Sequence, residues 1–198
     1  MNPFKFQKSI QLLNYFSILE GGKLNKLKAL KLMWAAERLS LRNYGTTIIG
    51  DDFFAMKLGP VPSFTKDMAE GSALLSDEES AYRQEYIKTT SKNDFSSVNS
   101  FDDSYFSSSS LTSINTAYEV FGGYDGFKLA DITHLYPEWS KFAHLFPQFS
   151  RFDMDYEDFF KDPADQPFKI FNQEPDKLEF MKNYFIEENA FTNALYSI

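Results

Sequence analysis

The sequence predicts an α+β fold that is predominantly α-helical: a helical domain with a small antiparallel sheet or hairpin around residues 46–58 and 84–90. Three observations carry this. Apolar residues recur at three- and four-residue spacing through the first 45 residues and again from Leu111 onward. Short strand-like runs at Phe53–Leu58 and Tyr86–Thr89 interrupt them. Glycine or proline punctuates most junctions.

Residues 6–20 place Phe6, Ile10, Leu13 and Ser17 on one helix face, with Leu12, Phe16 and Leu19 beside it; Gly21 and Gly22 stop the helix. In the second helix, closed by Gly45, Leu27, Leu30, Trp34 and Leu41 form a stripe that Leu32, Ala36 and Leu39 widen. A band this wide belongs to a central helix touched from several sides. Lys23, Lys26 and Lys28 crowd its first turns, where the macrodipole disfavours cations; they read as a solvated face, with a partner-binding patch as the alternative. Thr46–Asp52 reads as an extended pair followed by a turn, and Ser63–Glu70 as a short helix with Ser63 as N-cap and Lys66 and Asp67 facing water.

Residues 82–92 are strand-like around Tyr86–Thr89. Residues 94–113 are a serine-rich loop anchored by Phe95, Val98, Phe101 and Phe106. Helical spacing resumes at Leu111, Ile114, Tyr118 and Phe121, capped by Ser110. A further helical piece over residues 127–136 meets Pro137, which opens a new helix with Trp139, Phe142 and Phe146 on one face. The tail carries a short helix near Asp155–Phe160 and a longer one near Asp176–Ala190. The expected organisation is a domain over residues 1–148 and an acidic, aromatic-rich helical extension, residues 149–198, packed on it.

The 198 residues are ample for a sizeable core, and no apolar run reaches the length of about 18 residues that a membrane helix needs. The N-terminal stretch lacks the pattern of a secretory signal, and there is no cysteine, so disulfides and thiolate metal sites are excluded and a cytoplasmic location is expected. Net charge is −8 but unevenly placed. Residues 1–60 hold nine Lys and Arg against four acidic residues, whereas residues 150–198 hold five against eleven. An acidic whole argues against a general nucleic-acid binder. Aromatics make up 18% of the chain, which suits either a Phe-rich core or rings left at an interaction surface.

Little of the sequence speaks of catalysis. The GPVP stretch at residues 59–62 fails as a phosphate cradle, because Pro60 and Pro62 remove two of the N–H groups a cradle needs. It reads instead as a stiff exit from strand to helix. His134 and His144 match no zinc pair, and His134 near Asp131 reads as structural. Asp153, Asp155, Glu157 and Asp158 resemble a calcium loop, but Asp158 and Ala164 stand where glycine and glutamate are required. Glu37 with one of Asp51 and Asp52 forms a possible carboxylate pair, although turn chemistry after Gly50 accounts for the aspartates more cheaply. No cofactor or metal site is expected.

Residues 30–63 resemble the signature of the Panacea domain of SocA-like antitoxins, a phage-associated family. The positions that carry it are Trp34, Ala36, Glu37, Arg38, Leu41, Gly45, Ile48, Gly50, Asp51, Ala55, Gly59, Pro60 and Val61. A second match falls on Leu129, Ile132, Thr133, His134, Pro137 and Trp139. Glu37 stands where the family more often has Asp. The resemblance, covering roughly residues 5–145, implies a cytosolic antitoxin that binds a toxin encoded by an adjacent gene, with no cofactor. The rival readings are an adaptor that delivers the toxin to an ATP-dependent protease, an enzyme that reverses the toxin's modification through Glu37, Arg38, Asp51 and His134, and a promoter-binding regulator using the lysines of residues 23–31.

Overall fold

The computed structural model describes residues 5–165 and 167–196. Residues 1–4, Gln166 and the last two residues of the predicted extension lie outside them. The fold is built around one helix, α2 (Lys26–Tyr44), in which every residue from Ala29 to Arg42 is buried. Asn25 caps it by accepting from the amides of Leu27 and Lys28, and Gly45 ends it at φ +65°. The other helices are α1 (Phe6–Leu19), α3 (Ser63–Glu70), α4 (Asp77–Tyr86), α5 (Ser108–Phe121), α6 (Gly126–Thr133), α7 (Pro137–Ser140) and α8 (Pro175–Tyr196); all but α4 pack round it, and α4 rests on α1 and α3. Leu12, Phe16, Trp34, Phe95, Phe121, Phe159 and Phe171 share one core, so segments far apart in sequence close on the same centre.

The strands form two small antiparallel sheets, one at each of the expected regions. One has the order β1 (Lys23–Asn25), β5 (Asp94–Ser97), β4 (Ile87–Thr89). The other has the order β3 (Gly59–Pro62), β2 (Phe53–Met56), β6 (Arg151–Asp153), with Phe53 opposite Pro62 and Met56 opposite Gly59. The GPVP stretch is therefore a strand, not only an exit from one. Its prolines are tolerated because β3 lies at the sheet edge, where no outer neighbour needs their missing donors. Thr46–Asp52 forms no strand.

Several local expectations are corrected. The helix after Pro62 is capped not by Ser63 but by Asp51, which accepts from the amides of Phe64 and Thr65. Residues 77–86 are helical, opened by a capping box in which Ser76 accepts from the Glu79 amide while Glu79 accepts from the Ser76 amide. The serine-rich stretch supplies β5 and the start of α5, with Ser107 rather than Ser110 as N-cap. The helix opened by Pro137 lasts one turn; Phe146 and Phe152 then extend the aromatic row, Trp139 stacking on Phe146 at 5.2 Å and Phe142 on Phe152 at 5.0 Å. Lys23 lies in β1, and Lys28 is not solvated: its Nζ donates to Glu20 Oε1 and to the Gly122 carbonyl, both at 2.6 Å.

Gly59 shows why the hairpin needs glycine. Its φ is +97°, and a Cβ built there would sit 2.3 Å from Thr133 Oγ1 and 3.1 Å from Lys31 Nζ. The hairpin thus lies directly on α6 and α2. Gly59→Ala is expected to destabilise by about 2 to 4 kcal/mol, combining backbone strain with overpacking. Gly21→Ala, at φ +80° with nothing within 4 Å of the added carbon, is expected to cost about 1 kcal/mol from strain alone. Equal losses in urea unfolding would contradict the close approach.

Candidate functional site

Burying one helix almost all round creates a problem for its polar residues, since each desolvated charge needs a partner. Lys31, Glu37, Arg38 and Arg42 all lie inside the fold on α2. Glu37 accepts from the amides of Ile48 and Ile49, each at 2.8 Å. Its carboxylate organises the loop after Gly45 as a ligand would, but the ligand is backbone. Burial pushes its pKa up to about 7, against the pull of the Ile48, Ile49 and Gly50 amides and the Lys8 charge.

Arg38, one residue on, faces another way. Its Nη1 donates to both oxygens of Glu138, at 2.8 and 2.7 Å, and Nη2 to the Lys161 carbonyl at 2.6 Å. Trp34 Nε1 donates to the same Glu138 carboxylate at 2.9 Å. The guanidinium also lies 4.4 Å from the Tyr136 ring centroid, a cation–π geometry. Neither Arg38 nor Glu138 is exposed at all. A turn further along, Arg42 donates to the Phe171 carbonyl at 2.8 Å, the Phe159 carbonyl at 3.2 Å and Asp162 Oδ1 at 2.5 Å.

Asp51 begins the stretch after Gly50. Besides the two α3 amides, it accepts from the Thr65 hydroxyl at 2.7 Å, and that oxygen lies 3.0 Å from Ser9 Oγ on α1. Burial pushes the Asp51 carboxyl up to about 6, with the Thr65 and Phe64 donors opposing. Asp52, its neighbour, is exposed. Lys31 Nζ donates to the Pro60 carbonyl at 2.6 Å, and burial lowers its pKa to about 7. His134 follows α6 and stacks on Trp139 with ring centroids 3.7 Å apart. Burial, then the nearby Lys31 charge, lower its pKa. Trp139 in turn donates to the Met56 carbonyl at 2.7 Å.

The motif positions therefore form a buried polar frame, and they do not converge on a pocket. Glu37 serves the loop after α2, Arg38 serves α7 and the tail, Asp51 serves α3, and His134 packs on Trp139. Gly50 takes φ +67° beside Asp51, and Gly59, Pro60 and Val61 form β3. Sequence reasoning missed Glu138 and Arg42, and placed Lys31 among surface lysines for promoter binding rather than inside the fold. The available signal was their position: charged residues inside an apolar helical band, and an acid wedged between Pro137 and Trp139. Among the described residues, no group of three or more His, Asp and Glu is placed to hold a metal ion.

Two opposed limbs of pH dependence follow. A carboxyl whose folded pKa is raised stabilises the fold below its unfolded pKa and loses that contribution as pH rises through the folded value. Glu37 and Asp51 thus make stability fall between about pH 4 and 7; His134 opposes them in part. A lysine held neutral in the fold acts the other way, so Lys31 makes stability rise from about pH 7 upward. Glu37→Gln should flatten the fall between pH 5 and 7, and Lys31→Met should reduce the rise between pH 7 and 9, in urea midpoints measured against pH. Unchanged slopes would mean these groups keep their ordinary pKa values.

Comparison with known families identifies the frame. The family model described as antitoxin SocA-like, Panacea domain, matches residues 30–140, more than half of the chain. No curated protein and no solved structure matches. The matched stretch contains α2 from Leu30 onward, the β2–β3 hairpin and the His134–Trp139 stack, which are the parts the frame joins. The chain belongs to the SocA-like antitoxin, Panacea-domain family.

Proposed function

We propose that this protein is an antitoxin that neutralises a cognate toxin, encoded by an adjacent gene, by binding it directly in the cytoplasm. The family match carries this reading. The engagement of the motif residues supports it. Glu37 spends both carboxylate oxygens on backbone amides, Asp51 accepts from two amides and the Thr65 hydroxyl, and Arg38 donates to the Glu138 carboxylate and the Lys161 carbonyl. A general acid or base has to reach a substrate proton, and these three groups are engaged within the protein, whereas His134 Nε2 is buried without a hydrogen-bond partner. Of the lysines offered for promoter binding, Lys31 is buried, Lys28 is bonded to Glu20, and the exposed Lys23 pairs with Asp94 at 3.5 Å.

Co-expression with the neighbouring gene is expected to restore growth and to yield a complex that co-purifies. Glu37→Gln, Asp51→Asn and His134→Gln variants that remain folded are expected to keep both properties. A folded variant that binds but no longer rescues would favour the enzyme reading. An unchanged toxin half-life is expected with and without the protein; a shortened one would favour delivery to a protease.

A further inference from the structure

The tail beyond the matched residues builds a surface of its own. The flank of α8 and the segment from β6 through the 3-10 turn Tyr156–Phe160 enclose an open groove of about 600 Å³. Its apolar wall consists of Met154, Tyr156, Phe185, Ile186 and Ala190. Phe185 anchors this wall, with its ring centroid 5.9 Å from that of Tyr156 and 5.8 Å from that of Phe160. Ile186, one residue on, is 38% exposed.

The rim has the opposite character. Asp153, Asp155 and Glu157 line it. Glu157 pairs with Lys182 at 3.0 Å, but among the described residues no cation pairs with Asp153 or Asp155. Arg151, the nearest cation along β6, lies over the Phe54 ring at 3.6 Å. The groove therefore offers apolar area beside a rim of net negative charge: three carboxylates against Lys182 and the more distant Lys161, which senses Asp155 and Glu157. Arginine and lysine satisfy both demands at once, since their stems cover apolar surface while their heads reach carboxylates. A second copy of this chain suits it less well, because the chain carries a net charge of −8 and two copies repel.

We propose that this groove docks a basic, apolar-anchored segment of the toxin. The proposal rests on the antitoxin reading and deepens it: the matched region supplies the scaffold, and the tail supplies a partner-recognition surface.

The test uses the full chain and, as probe, the product of the neighbouring gene made inactive by substitution. Asp153→Lys reverses rim charge, and Ala190→Trp fills the groove from an exposed position. Each is expected to weaken binding about tenfold or more, Asp153→Lys most strongly at low salt. Leu74→Lys, at a site 86% exposed and remote in sequence, is expected to bind as wild type. Thermal melts confirm that the variants fold. If wild type binds and both groove variants bind equally well, the groove proposal falls and the antitoxin reading stands. If wild type neither binds nor rescues growth, the antitoxin reading falls and takes this occupant with it. If the protein alone is a dimer in light scattering that Asp153→Lys dissociates, the occupant is a second copy and the proposal is overturned.

Discussion

The Arg38–Glu138 pair is the constraint on which the remainder of the structure depends. Both side chains are wholly excluded from solvent. Desolvating two charges costs several kcal/mol per ion, and their attraction repays this only where geometry is good and the leftover valences are met. Here Glu138 also receives the Trp34 indole, and Arg38 also reaches the Lys161 carbonyl and the Tyr136 ring, while Arg38 Nε finds no partner. Each extra partner comes from a different part of the chain. The pair therefore specifies one arrangement of α2, α7 and the segment after β6, because any other leaves a buried charge uncompensated.

Arg42 repeats the principle with carbonyls in place of a buried acid. Its bonds to Phe159 and Phe171 oxygens fix two irregular stretches whose rings, Phe159 and Phe171, are fully buried. Irregular backbone rarely runs through a core, since its carbonyls lack partners there; a guanidinium with donors spread in a plane supplies several at once. On other faces of α2, Glu37 does the converse for amides, holding the Ile48–Ile49 backbone that leads to Asp51. Asp51 then caps α3. The central helix thus acts as a row of side-chain ligands for backbone that secondary structure leaves unpaired.

How much of this was legible in the sequence follows from the range of each interaction. The helices α1, α2 and α5 announce themselves through local apolar spacing, and the hairpin through glycine and proline. The helix α4 went unread because its surface is almost wholly polar and Arg83 is its only buried residue; its capping box was the one local sign. The strand β6 joins β2 from nearly a hundred residues away, and three residues are too few to show a period. The Arg38–Glu138 contact spans a hundred residues. The apolar neighbours of Glu138 hint that it is buried, but nothing local says that its partner is Arg38. The motif positions were readable as a pattern, but their partners were not, because half of each partnership lies outside the motif or in the backbone.

That division bears on where recognition resides. The matched stretch, residues 30–140, coincides with the helix that supplies the ligands and with the hairpin and stack that rest on it. Side chains committed to holding backbone have little freedom to change with the partner. The tail is held both ways: Arg38 and Arg42 grip its carbonyls, while Phe159, Phe160, Phe171 and Phe185 are buried in the core and Asp162 meets Arg42. A segment held by its backbone keeps its place while its exposed side chains vary. Asp153, Ile186 and Ala190 are such side chains, set beside a fixed frame. An architecture of this kind lets one scaffold present different surfaces without refolding.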